Sequence, residues 1–160
     1  MNATSMDVKD KVFLVTGGTS GIGKATALGL ARTGAKIVII SRSAKRGEAA
    51  LEYIAKATGN ERSEFLVADL SLQSSIKKAS GEFKREYDNL HVLINVAGAI
   101  YFQKQLSGEG IDMMLAVNYL RACLCSVGLG QTGVDETRIQ SGLSQRLERR
   151  AMASGGACSS

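Results

Sequence analysis

The chain has no apolar run near the roughly 20 residues that a membrane-spanning helix needs. Its first eleven residues are polar and mixed in charge. Neither a membrane span nor a secretory leader is expected from this. Histidine occurs once, as His91, and cysteine only as Cys123, Cys125 and Cys158. An odd number of cysteines makes no disulfide framework, and a single histidine beside them makes no zinc site, so no metal is expected. These absences predict a reducing, cytoplasmic setting. Aromatic residues form 5% of the chain, and no dense basic run accompanies its net charge of +5. That combination argues against nucleic acid as a partner.

Acidic residues are missing from one long stretch. None lies between Asp10 and Glu48, where Lys11, Lys24, Arg32, Lys36, Arg42, Lys45 and Arg46 are found. A stretch of one sign suits a polyanionic ligand such as a dinucleotide phosphate. What remains is globular: 160 residues, 44% hydrophobic and 22% charged, fit one ordinary domain.

Composition changes after Leu120. Every lysine and every aromatic residue precedes that point, and all three cysteines follow it. The chain therefore divides into a segment 1–120 and a divergent tail 121–160, read as helix or disorder. Residues 135–152 carry Ile139, Leu143 and Leu147 in a narrow stripe, and Gly128, Gly130 and Gly133 are read as breaking any helix before them.

In the first segment the hydrophobic period alternates between two and 3.6. Short β-branched runs predict strands at 11–16, 36–41, 64–68 and 91–95. Helices are predicted at 21–33, 45–57, 72–87 and 107–122. Their inward faces are Ile22, Ala25, Gly29 and Leu30; then Ala50, Leu51 and Ile54; then Leu72, Ile76, Ala79, Phe83 and Tyr87; then Ile111, Met114, Leu115 and Ala122. Parallel strands need crossover helices, so the alternation predicts an α/β fold of the Rossmann type, a doubly wound parallel sheet.

The loop after the first strand reads Thr16, Gly17, Gly18, Thr19, Ser20, Gly21, Ile22, Gly23. Gly17 permits the tight turn, Gly21 lets a pyrophosphate approach the backbone, and Gly23 lets the helix pack close to the sheet. The helix start that follows offers free amides and a positive dipole end. A second test lies at the end of the second strand, where a binder of NAD places an acid for the ribose hydroxyls. Here the chain has Ser41 and Arg42, with Lys45 and Arg46 following. Arginine matches a 2′-phosphate, so NADP(H) is favoured over NAD(H).

These motifs resemble the short-chain dehydrogenase/reductase family over about residues 8–120. The glycine loop matches in spacing. Asp69 and Leu70 look like the family's adenine-contacting pair. Asn95, Val96, Ala97 and Gly98 look like its Asn-Asn-Ala-Gly signature, with Val96 replacing the second asparagine. Asn118 looks like its helix asparagine. The surroundings of Arg42 and residues 108–113 look most like the retinol-dehydrogenase-like branch. The resemblance implies hydride transfer between a nicotinamide and a small carbonyl or alcohol. In the family a Tyr-x-x-x-Lys pair, a serine and the asparagine perform it. It also implies cofactor contacts from Gly17, Thr19, Ser20, Gly21, Ile22, Gly23, Ser41, Arg42, Arg46, Asp69, Leu70, Asn95, Ala97 and Gly98.

No Tyr-x-x-x-Lys occurs in this chain. The sheet is expected to stop after about four strands, before the family's serine, leaving Asn118 alone of the catalytic set and without its usual partners. Where the family continues Leu-Gly-His-Phe, this chain has Leu120, Arg121, Ala122 and Cys123. A frameshift or misjoined exon would give such a change. The sequence therefore predicts an NADP-dependent oxidoreductase by descent, truncated and inactive alone. The alternative is a non-catalytic dinucleotide-binding module, or a dimerisation partner of a full-length relative or of its own copy.

Overall fold

The apolar run Val-Phe-Leu-Val-Thr has no exposed face to offer, and it forms one of the two inner strands of the sheet. In the computed structural model, which describes residues 8–129, β1 (Val12–Thr16) pairs in parallel with β2 (Lys36–Ser41) on one side and β4 (Val92–Asn95) on the other. β3 (Glu64–Val67) pairs with β2, giving the order β3-β2-β1-β4. The register sets Thr16 beside both Ile40 and Asn95, so the C-terminal ends of these strands share one edge.

Helices α1 (Gly21–Arg32), α2 (Ala44–Thr58) and α3 (Gln73–Glu86) supply the crossovers that parallel pairing requires. Side chains alternate across the sheet as a period of two dictates. Leu14, Val38, Ile40, Leu66 and Leu93 pack with Ile76, Ala79 and Phe83 of α3. Phe13, Val15, Ile37 and Ile39 pack with Ala27, Ala31, Ala50 and Ile54 of α1 and α2. Both faces are covered, which is the doubly wound arrangement expected from the alternation. Complete burial of side chains such as Ile37, Ile39 and Phe83 contributes about 2 kcal/mol each.

After β4 the chain loops out and returns through an isolated antiparallel bridge between Leu106 and Asp112. It then forms α4 (Met113–Leu115), a π-helical turn (Ala116–Leu120) and α5 (Arg121–Leu129).

Three expectations need correction. On α1 the buried residues are Gly23, Ala27 and Ala31, whereas Ile22 is 77% exposed and Ala25 and Gly29 are exposed. A helix lying this close to a sheet buries its smallest side chains, and Ile22 is left at the mouth of a cleft. The helix expected over 107–122 begins only at Met113. The Ser107 hydroxyl accepts the amides of Glu109 and Ile111 and closes a turn, and Asp112 caps the amides of Met114 and Leu115. These local bonds outweigh the helical periodicity. Met114 and Leu115, read as inward, are 41% and 47% exposed.

Gly128, expected to break the helix, does not do so. It lies within α5 and lets Ser80 of α3 approach, since a side chain there would begin 2.9 Å from the Ser80 hydroxyl. The compositional break after Leu120 thus falls inside a continuous helical run, with Cys125 and Leu129 buried against α3. The stripe at 135–152 lies outside the described residues.

Candidate functional site

The shared strand edge opens on a cleft of about 530 Å³. That is within the range of small-molecule sites, roughly 300–1,000 Å³. Of the residues singled out by the sequence, Gly17, Thr19, Ser20, Gly21, Ile22, Gly23, Arg42, Arg46, Asp69, Leu70, Ala97 and Gly98 line it. They come from four separate chain segments, each just beyond the C-terminal end of a strand, where ligands bind in open parallel sheets.

The glycine loop crosses from β1 to α1. Gly17 turns at φ +72°, and a side chain there would begin 2.8 Å from the Ala97 Cα, so the loop and the β4 exit touch. Gly21 has φ +51° and open space where a side chain would be. Gly23 differs from its expected role: a side chain on it would strike the Gly17 carbonyl, so it lets the helix close on the loop rather than on the sheet.

The start of α1 is electrically open. Its N-cap, Ser20, makes no side-chain capping bond, and its first turn holds no acid. The other crossover helices start differently. Ser43 accepts from the Arg46 amide at α2. The Glu109 carboxylate accepts the amides of Gln73 and Ser74 at α3, at 2.8 and 3.1 Å. Those amide bonds, first that of Ser74, hold the Glu109 carboxyl below its ordinary range. Free amides and the dipole at α1 therefore face a cleft rather than a capping group.

The acid-free stretch does not act as one patch. Lys36 pairs with Glu64 at 2.9 Å, and Lys24 lies 3.6 Å above the Tyr53 ring. Only Arg42 and Arg46 of that stretch reach the cleft; Lys45 does not line it. Both arginines are exposed, and neither joins an ion pair among the described residues.

Three predicted site residues do not line the cleft. Ser41 is buried, and its hydroxyl donates to the Ser43 carbonyl at 2.8 Å, so it holds the turn into α2. Asn95 has its Oδ1 enclosed with no hydrogen-bond partner among the described residues. Asn118, expected to be without its usual partners, has both polar atoms occupied by others. Its Nδ2 donates to the Ala99 carbonyl at 2.8 Å, and its Oδ1 accepts the Ala99 amide at 3.0 Å. It braces the loop after β4. Asp69 uses Oδ1 to accept the Ser71 amide and hydroxyl, which fixes the loop after β3.

The sequence reading missed Ile40, Ala68, Ser71, Val96, Ala99, Tyr101, Met113 and Val117, all on the cleft wall. The rule for strand ends would have found Ile40, Ala68 and Val96. Tyr101 lies on the outgoing limb of the long loop, and Met113 and Val117 arrive on its return, which no local pattern marks. Thr16 was also missed as a hub. Its buried hydroxyl oxygen accepts the amides of Val96 and Ala97 at 3.1 and 3.3 Å, and the Arg121 guanidinium at 2.8 Å.

A parallel sheet with a glycine-rich loop, an uncapped helix start and two free arginines at its strand edge defines a nucleotide-binding α/β protein. Residues 11–132 match the family described as short chain dehydrogenase, and the chain belongs to that family. It is 38% identical over 124 residues to human dehydrogenase/reductase SDR family member 12, covering 78% of this chain and 39% of that protein. It is 36% identical over 117 residues to human retinol dehydrogenase 11, covering 73% of this chain and 37% of that protein. The chain thus spans about two fifths of the length of these relatives, on the side of the family where the retinol dehydrogenases lie. The crystal structure of a metagenomic short-chain oxidoreductase in complex with NADP superposes with a TM-score of 0.69 at 27% identity, over 79% of this chain and 57% of that one. Among the described residues no helix is long and apolar enough to cross a membrane.

Proposed function

We propose that this chain forms the NADP(H)-binding half of an oxidoreductase that moves hydride between a nicotinamide and a small carbonyl or alcohol. The observation that carries the reading is the uncapped start of α1, open to a cleft that also holds Arg42 and Arg46. The residues fit the group. The amides around Gly21 and Ile22 take the pyrophosphate, with nothing in the space above Gly21 to exclude it. Arg42 and Arg46 take the ribose 2′-phosphate, which is the ground for preferring NADP(H) over NAD(H). Asp69 and Leu70 would hold the adenine, and Ala97 and Gly98 line the same cleft. The bound cofactor supplies or accepts the hydride.

Proton transfer to the substrate oxygen needs a general acid, and the Tyr-x-x-x-Lys that the family resemblance implies is not among these 160 residues. On this reading the chain binds the cofactor without turning over a substrate. A non-catalytic partner of a full-length relative is the second reading. It is favoured by the exposed apolar side chains Met114, Leu115 and Tyr119 on one helical run.

The test is a fluorescence titration of the purified chain with NADPH and NADH, followed by incubation with aldehydes and ketones. Saturable NADPH binding, weaker NADH binding and no oxidation of NADPH are expected. Steady oxidation of NADPH by an aldehyde or ketone would overturn the claim of inactivity. Absence of binding to a folded chain would overturn the cofactor reading.

A further inference from the structure

Arg121 is 3% exposed and forms no ion pair with a carboxylate among the described residues. A buried cation without a counter-charge is costly, so its hydrogen bonds must account for its place. Its Nη1 donates to the Thr16 hydroxyl at 2.8 Å, and its Nε donates to the Val117 carbonyl at 2.6 Å.

Each bond reaches one side of the same wall. Thr16 holds the amides of Val96 and Ala97, and Ala97 lies against Gly17 across the cleft floor. Val117 belongs to the π-helical turn, where the Arg121 amide bonds back to Ala116, five residues away, instead of to Val117. The Arg121 side chain donates to the Val117 carbonyl that its own amide leaves. The same turn carries Asn118, which clasps Ala99 through both its amide and its carbonyl. One guanidinium therefore bears on both ends of the segment from Val96 to Ala99, and that segment lines the cleft. π-Turns inside helices are frequent at functional sites, and here one has a side chain that completes it. Burial holds the Arg121 pKa below its ordinary value and pushes that of the Cys125 thiol, one turn on, up to about 11. The neighbouring thiol therefore supplies no anion at neutral pH.

We infer that Arg121 is a positioning residue for the dinucleotide: acting through Thr16 and Val117, it fixes the Val96–Ala99 wall against which the cofactor lies. Arg121 itself does not line the cleft. The inference rests on the cofactor reading above only in naming the ligand.

The test compares wild type with R121M and R121K in the full chain. R121M removes a buried cation and keeps an apolar stem. R121K keeps the cation and cannot donate from two separated nitrogens at once, so it serves if R121M does not fold. Amide hydrogen exchange without cofactor is read at Val96, Ala97 and Ala99, with Ile39 in β2 as the core control. NADPH affinity is read by titration. Expected in both variants are about tenfold faster exchange at the three wall amides, an unchanged Ile39, and about tenfold weaker NADPH binding, the scale of one hydrogen bond. Wild-type protection of the wall amides in both variants would overturn the inference. So would equal acceleration at Ile39, because that is a general loss of stability. If the wall amides respond and wild type binds no NADPH, the positioning role stands and the cofactor reading falls.

Discussion

A side chain on Gly23 would strike the carbonyl oxygen of Gly17, so the first turn of α1 and the exit of β1 close directly on each other. This contact sets the width of the loop that faces the cleft. The obstacle is backbone, which has little freedom to yield. Gly23→Ala should therefore lower stability by about 1–3 kcal/mol, the usual cost of overpacking, and weaken cofactor binding as well. Thermal denaturation and NADPH titration of the variant check both.

Arg42 and Arg46 are the two cations of the acid-free stretch that reach the cleft. If they hold the 2′-phosphate, removing either should weaken NADPH and leave NADH nearly unchanged. Arg42→Ala and Arg46→Ala are each expected to cost about 1.5–3 kcal/mol in NADPH binding, as for hydrogen bonds to charged groups. Parallel titrations with the two cofactors measure the ratio. Because both arginines are exposed, the NADPH affinity should also fall as salt rises.

Glu109 ties the return loop to the start of α3, and its carboxyl is held below its ordinary value of 4.5, chiefly by the Ser74 amide. A lowered folded-state pKa means that the clamp contributes fully above pH 4.5 and is lost as pH falls through the lowered value. Glu109→Gln should abolish that acid-limb dependence and speed amide exchange at Gln73 and Ser74. The pH profile of exchange at those two amides is the check.

The His91 Nδ1 accepts the Val12 amide at 3.0 Å, which requires that nitrogen to be unprotonated. Burial and then Lys11 lower its pKa from 6.5. The folded state therefore binds its proton less readily than the unfolded one. Its contribution is complete above pH 6.5 and is lost as pH falls through the lowered value. His91→Gln should flatten the stability profile in that window, and urea denaturation at stepped pH measures it.

The sheet was legible because burial on both faces leaves near-continuous apolar runs between glycine-rich breaks. The second strand was read with its observed ends, Lys36 and Ser41. The stripe Ile76, Ala79, Phe83 on α3 was equally plain, since one face meets the sheet and the other meets water. The face of α1 was not legible, because close packing selects Gly23, Ala27 and Ala31 and leaves Ile22 outside. The start of α4 was hidden by bonds from Ser107 and Asp112 that oppose the local period. At the site, the glycine loop and the arginines were evident from spacing and charge. Asn118 was identified by position, but its bonds to Ala99 span 19 residues and depend on the fold. The link between Thr16 and Arg121 spans 105 residues and leaves no mark on either segment.

If the open start of α1 receives the pyrophosphate of a dinucleotide, a backbone amide spectrum of the isotope-labelled chain, recorded as NADPH is added, reports it directly. Saturable shifts are expected at Gly21, Ile22 and Gly23, joined by Ala97 and Gly98, with the amides of Gln73 and Ser74 at the capped start of α3 unmoved. Shifts confined to other surfaces, or none at Gly21–Gly23 in a folded chain saturated with NADPH, would contradict it.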